Sequence, residues 1–221
     1  MRRLLIALLF VFASLPVAGV NTVVVMRHAA AAATFCDGTF QFCDEFGGTL
    51  GNFTQTLGSW SISSGFLVGP TSGQGILTHN TATSSATQYA IIRLDTLSGQ
   101  QGVKLRGGST GGNFYGVYRI GNTAEWSSFQ ANGSWNETIS SCAITWAADD
   151  YMMVKVSGTV GSTTIDVWQT ATMPTVPPST GPSCTMAVGP SALADDGTVI
   201  GVYSDSGGSD QNYDDFAAGS P

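Results

Sequence analysis

Tyr151-Met152-Met153-Val154-Lys155-Val156, then, past Gly158, Thr163-Thr164-Ile165-Asp166-Val167-Trp168: these two runs decide the fold class. In the first, Met152, Val154 and Val156 recur at every second residue. In the second, Ile165 and Val167 fall together while Asp166 and Trp168 point the other way. A period of two belongs to a strand, whose successive side chains face opposite sides. An apolar face backed by a wetter one is the pattern of an antiparallel sheet covered on one side.

Read outward from there, the chain from Phe40 onward is a series of short alternating runs broken by Gly, Asn, Ser and Asp. Strands are expected at Phe40–Phe46, Ser59–Ser63, Gly75–Thr78, Ala86–Leu94, Gly102–Arg106 and Phe114–Ile120. Further strands are expected at Glu125–Phe129, Glu137–Ser141, Tyr151–Ser157, Thr163–Gln169, Val199–Tyr203 and Tyr213–Ala217. About twelve strands with no long helical period and no strand–helix–strand spacing predict an all-β, two-sheet antiparallel β-sandwich. Pro174, Pro177, Pro178 and Pro182 make Met173 to Pro182 a loop, suited either to recognition or to covering a sheet edge.

The 221 residues suffice for one such domain plus a leader. Met1-Arg2-Arg3, the apolar run Leu4 to Leu15 and the small residues Val17 and Gly19 predict a signal peptide over 1–19. The alternative is a signal anchor, because apolarity resumes at Val23-Val24-Val25-Met26. Residues 20–35 read as a linker and 36–221 as the sandwich domain. The formal charge is −7, from eight Lys and Arg against fifteen Asp and Glu. Loss of Arg2 and Arg3 with the leader would leave the chain more acidic still. Nucleic acid, which needs clustered positive charge, is therefore not an expected partner, and a cleaved chain has no segment for stable membrane insertion. Four cysteines in an exported chain predict two disulfides. Of three pairings, we favour Cys36–Cys43, closing a small loop before the first strand, and Cys142–Cys184.

Several stretches, taken in order, resemble a known family. Cys43-Asp44-Glu45-Phe46 precedes Gly47-Gly48-Thr49-Leu50-Gly51 and Trp60-Ser61-Ile62-Ser63-Ser64-Gly65-Phe66-Leu67 near the start. Tyr115-Gly116-Val117-Tyr118-Arg119-Ile120 stands in the middle. Val199-Ile200-Gly201-Val202-Tyr203 and Tyr213-Asp214-Asp215-Phe216 stand near the end. This order is similar to the laminin-G-like branch of the concanavalin A-like lectin/glucanase superfamily, over roughly residues 40 to 218. The resemblance implies a jelly-roll sandwich whose terminal strands meet. It also implies a structural calcium drawn from Asp44 or Glu45 and above all Asp215, since calcium accepts mixed carboxylate and carbonyl oxygens.

Catalytic residues are not assigned. The hydrolases of that superfamily carry a glutamate-x-aspartate-x-x-glutamate run that aims two carboxyls into one cleft. Here Glu45, Glu125 and Glu137 are the only glutamates, and none has an Asp two residues later. His28 falls in the linker and His79 beside a turn, where it reads as a surface residue, so nucleophile–His chemistry has little support. Neutral sugars are held by flat aromatic faces and a few polar groups. The candidates are Tyr115, Tyr118, Arg119, Trp126 and Trp135, with core packing as the competing role for each aromatic; Trp60 reads as core. Sequons at Asn52, Asn132 and Asn136 could carry glycans in a eukaryotic host, and glycans at Asn132 and Asn136 would block that aromatic site.

The expected function is a secreted or surface-displayed carbohydrate-binding or adhesive module. Its partner would be a neutral glycan or a cell-surface component, with self-assembly as a further option. The alternatives are a structural or assembly protein of an envelope, appendage or virion, and a glycan-active hydrolase or lyase with atypical carboxylates.

Overall fold

The computed structural model describes residues 35–36, 40–108, 113–130, 134–159, 162–188, 197–206 and 211–220. The expected leader and nearly all of the expected linker lie outside them. Within them the alternating runs form fifteen strands in two antiparallel sheets. The eight-stranded sheet runs β13 (Cys184–Val188), β12 (Thr163–Thr170), β11 (Asp150–Ser157), β6 (Gln88–Leu94), β15 (Asn212–Gly219), β4 (Phe66–Val68), β3 (Ser61–Ser63), and β1 (Phe42–Asp44) also pairs with β15. The seven-stranded sheet runs β10 (Trp135–Ala143), β9 (Thr123–Phe129), β8 (Phe114–Ile120), β7 (Gln100–Gly107), β14 (Val199–Ser206), β5 (Gly73–His79), β2 (Phe53–Leu57).

All twelve expected strands coincide with an observed one; β2, β4 and β13 are additional. Their sequences explain the difference. β2 is Phe-Thr-Gln-Thr-Leu on a sheet edge, with Thr54 and Gln55 exposed, so it shows no apolar repeat. β4 is three residues long. β13 follows the proline-rich loop and is also an edge strand. The terminal strands do meet, β1 on β15 with Asp44 opposite Phe216.

The core lies between the sheets. Met152, Val154, Val156, Ile165 and Val167 face Leu77, Val103, Leu105, Val117 and Val202, all inaccessible to solvent. Trp60 is buried there, as its place in the sequence predicts, and its indole N–H donates to Leu57 O at 3.1 Å. Burial of this apolar surface at about 25 cal/mol per Å² is the main favourable term.

Two ties join the sheets across this core. Cys142 on β10 bonds Cys184 on β13, linking an edge strand of one sheet to an edge strand of the other. Arg106, at the end of β7, is completely buried. Its Nε donates to Ala86 O at 2.9 Å, Nη1 to Thr163 Oγ1 at 2.9 Å and Nη2 to Gly158 O at 2.5 Å. All three acceptors belong to β12 or to segments flanking β6 and β11 of the opposite sheet. Its own amide donates to Gln88 Oε1 on β6 at 2.7 Å.

The second disulfide, Cys36–Cys43, closes a short loop. With Phe35 and Phe40 this loop packs on the outer face of the eight-stranded sheet, against Tyr89, Ile91, Met153 and Ala217. Met173 and Val176 of the proline-rich loop join the same cluster, and Trp168 Nε1 donates to Thr180 O at 2.9 Å. That loop therefore covers a sheet face, not merely an edge.

Removing the Arg106 fork takes the guanidinium donors from Ala86 O, Gly158 O and the buried Thr163 Oγ1 and leaves the sheets untied at this point, so Arg106→Leu is expected to cost about 3 kcal/mol. Urea unfolding checks this, with a lowered midpoint and an unchanged slope as the expected outcome.

Candidate functional site

The outer face of the seven-stranded sheet carries a groove of about 290 Å³ that crosses six strands. Its apolar side is built by Tyr118 of β8, Phe129 of β9, Trp135 of β10 and Tyr203 of β14. Gln74, Gln100, Glu125, Thr138 and Asp205 supply its polar side. On β9 and β14 these positions alternate with core residues, Glu125 and Phe129 against Trp126, Tyr203 and Asp205 against Val202; on β10, Trp135 and Thr138 are three residues apart, with a register shift between Trp135 and Glu137.

Below the groove lies a packed aromatic floor. Phe114 and Phe129 stack with centroids 5.0 Å apart, Phe129 meets Tyr203 at 4.8 Å, and Tyr118 meets Tyr203 at 5.3 Å. Gly116 makes room for it: a Cβ there would come within 2.6 Å of Phe129 Cε2. The phenols are wired to the polar side. Tyr118 Oη donates to Glu125 Oε2 at 3.2 Å and is hydrogen-bonded with Ser127 Oγ at 2.8 Å; Tyr203 Oη donates to Gln100 Oε1 at 3.4 Å. Burial pushes both phenol pKa values up, so both hydroxyls stay protonated donors.

Trp135 differs from this floor. It is 57% exposed, the most exposed large apolar side chain among the described residues, while Tyr118, Phe129 and Tyr203 are at most 3% exposed. It opens β10 opposite Phe129, before a register shift between Trp135 and Glu137. A free indole face beside amides, carboxylates and a hydroxyl can stack a flat apolar ring face and hydrogen-bond its edge.

The sequence-derived aromatic set divides between the two faces of the sheet. Tyr118 and Trp135 line the groove. Tyr115 and Trp126 sit in the core, edge to face at 5.3 Å. Arg119 is buried on the core side of β8, its Nε donating to Gln101 Oε1 at 3.1 Å and its Nη2 to Gly99 O at 3.0 Å. Sequence reasoning did not reach Gln74, Gln100, Tyr203 and Asp205, which come from strands distant in the chain. His79 is not a surface residue. It is buried against Phe42 and Phe53, and its Nδ1 accepts the Thr81 N–H at 3.1 Å; desolvation lowers its pKa.

The acids expected to hold calcium lie where β1 meets β15, each with protein neighbours of its own. Asp44 Oδ1 accepts Phe46 N–H at 2.8 Å and its Oδ2 the Asn52 amide at 3.3 Å; Glu45 Oε1 accepts Cys36 N–H at 3.0 Å. Asp215 lies in a register shift of β15, between Tyr213 and Phe216, which pair with Leu94 and Ile92. Beside it Arg93 pairs with Asp214, and with Asp149 at 3.0 Å. Among the described residues no three His, Cys, Asp or Glu side chains are grouped closely enough to hold a metal. Asp44 and Glu45 thus each accept a backbone N–H from the same stretch of chain. Asp215 is instead a buried acid: desolvation first, then the Asp214 charge, push its pKa up to about 7.

No family model matches the sequence, and no curated protein matches it. Solved structures do resemble it. The carbohydrate-binding module CBM66 from Bacillus subtilis aligns at TM-score 0.52 and 11% identity, over 76% of this chain and 92% of that one. A GH43 protein from Bacillus licheniformis aligns at 0.51 and 15%, over 81% of this chain, which spans only 39% of that protein. A legume lectin-like domain from Entamoeba histolytica aligns at 0.47 and 11%, over 77% of this chain and 90% of that one. At these identities the likeness is one of fold, a concanavalin A-like jelly-roll sandwich.

The acid in the β15 irregularity gives a prediction with a definite sign. With its folded pKa raised, Asp215 leaves stability intact below its unfolded pKa near 4 and takes it away as pH rises through about 7. Asp215→Asn is therefore expected to stabilise the domain at pH 8, by roughly 2 kcal/mol because residual solvent screens the charge, and to change little at pH 4. Thermal melts at the two pH values decide it; destabilisation at pH 8 in the presence of calcium would instead assign Asp215 a ligand role.

Proposed function

We propose that the chain is a secreted or surface-displayed carbohydrate-binding module that holds a neutral sugar in the groove on the seven-stranded sheet. The observation that carries this reading is Trp135, a 57% exposed indole standing at a groove whose other aromatics are packed away and whose rim is amide, carboxylate and hydroxyl. Aromatic stacking with a few fixed polar partners is the chemistry of sugar recognition. Tyr118 and Tyr203 hold Glu125 and Gln100 by their hydroxyls, so the polar groups are pre-set and little ordering is lost on binding. Glu125 and Asp205 repel anionic polysaccharides from the same groove. The fold shared with a carbohydrate-binding module is consistent with this role, and the order of the strand motifs favours the laminin-G-like branch. The leader pattern and the two disulfides support export.

A second reading rests on a specific feature, the presence of two carboxylates, Glu125 and Asp205, in one groove. In it the groove would cleave the glycan it binds.

The test is an array of neutral glycans probed with the domain, with and without calcium, followed by titration of any binder. Trp135→Ala is expected to weaken binding roughly tenfold or more without changing the melting temperature. Trp126→Ala is expected to act differently, costing about 3–5 kcal/mol of stability by opening a core cavity. A silent array with folded protein, or Trp135→Ala binding like the parent, would sink the reading. Release of shortened products that Glu125→Gln abolishes would favour cleavage.

A further inference from the structure

A second cavity lies on the opposite side of the sandwich. It has a volume of about 310 Å³ and is formed between the outer face of the eight-stranded sheet and the proline-rich loop. Tyr89 of β6 and Met153 of β11 form its base, and Val176, Pro177 and Pro178 its far wall. Lys155, also on β11, stands at it two residues along from Met153, on the same face.

The charge inventory singles out that lysine. Of the eight Lys and Arg in the sequence, Arg2, Arg3 and Arg27 precede the sandwich, leaving Arg93, Lys104, Arg106, Arg119 and Lys155. Lys104, Arg106 and Arg119 are buried, and Arg93 is paired with Asp149 and Asp214. Lys155 is half-buried and forms no ion pair with the described residues. Asp166 stands in register opposite it on β12, but its Oδ1 accepts the Thr185 hydroxyl at 2.7 Å. Among the described residues of this acidic domain, a half-buried cation without an ion pair is therefore placed at an apolar cavity.

The walls are also rigid. Proline fixes its own φ, and the loop is anchored by Trp168 Nε1 donating to Thr180 O. A preformed cavity loses little conformational freedom on filling. Its volume, about 310 Å³, lies at the lower end of small-molecule sites, about 300–1,000 Å³.

We propose that this cavity binds a small monocarboxylate with an apolar body, the carboxylate on Lys155 Nζ and the body against Tyr89, Met153 and the two prolines. The site is separate from the groove and does not depend on the sugar-binding reading.

The probes are octanoate and its uncharged counterpart 1-octanol, followed by the methyl resonance of Met153 in the full domain at pH 7. Octanoate is expected to shift that resonance saturably with one-to-one stoichiometry, and 1-octanol to bind roughly tenfold more weakly. Lys155→Met, which keeps the apolar stem, is expected to bring octanoate down to the level of the alcohol, and Lys155→Gln to do the same. Trp135→Ala is expected to leave octanoate binding unchanged. Absence of a saturable shift at Met153, equal affinity for acid and alcohol, or undiminished octanoate binding by both lysine variants would each overturn the proposal.

Discussion

A guanidinium buried between two sheets sets the terms for the rest of this molecule. Arg106 extends from β7 and places three N–H donors on oxygens of the opposite sheet or its connections, at Ala86, Gly158 and Thr163. A planar fork of fixed geometry holds its acceptors at one spacing and one orientation. The Cys142–Cys184 bridge does the same for the edge strands β10 and β13 by covalent means. Between these ties the sheets are held at the separation at which Trp60, Trp126 and Trp146 fill the interior.

Once the inner faces are committed to each other, the two outer faces differ. The eight-stranded sheet is covered by the Cys36–Cys43 loop and the proline-rich loop, which pack on Ile91, Met153 and Trp168. The seven-stranded sheet instead packs its own aromatics side by side, so that Phe114, Phe129 and Tyr203 bury one another and leave Trp135 standing clear. Each solution produces a different kind of concavity: a narrow apolar space under a rigid loop on one side, and an open, polar-rimmed groove across strands on the other.

The fold was legible because its signal is local. The repeat of Met152, Val154 and Val156 is visible without knowing what pairs with it, and so is the opposite facing of Val167 and Trp168. The favoured cysteine pairing is the one present. The groove was legible only in part. Tyr115 and Tyr118 are three residues apart on one strand and so face opposite ways; strict application of the two-residue period would have separated them. No sequence signal brings Gln74, Gln100 and Tyr203 to Tyr118, because that depends on β14 inserting between β5 and β7. Asp215 escaped for a different reason: a register shift in β15 breaks the alternation by which its direction would be read.

The position of β15 has a consequence for how the molecule comes into being. This strand is last in sequence order, yet it lies inside the eight-stranded sheet, between β6 and β4 and touching β1. Without Asn212–Gly219, β6 would keep its pairing with β11 but have an unpaired edge on its other side. Pairing between strands so far apart in the chain closes large loops and is slow. The eight-stranded sheet is therefore closed by its most distant segments: β6 and β4 become neighbours through β15 alone, and the interior beneath them is complete only when Asn212–Gly219 takes its place.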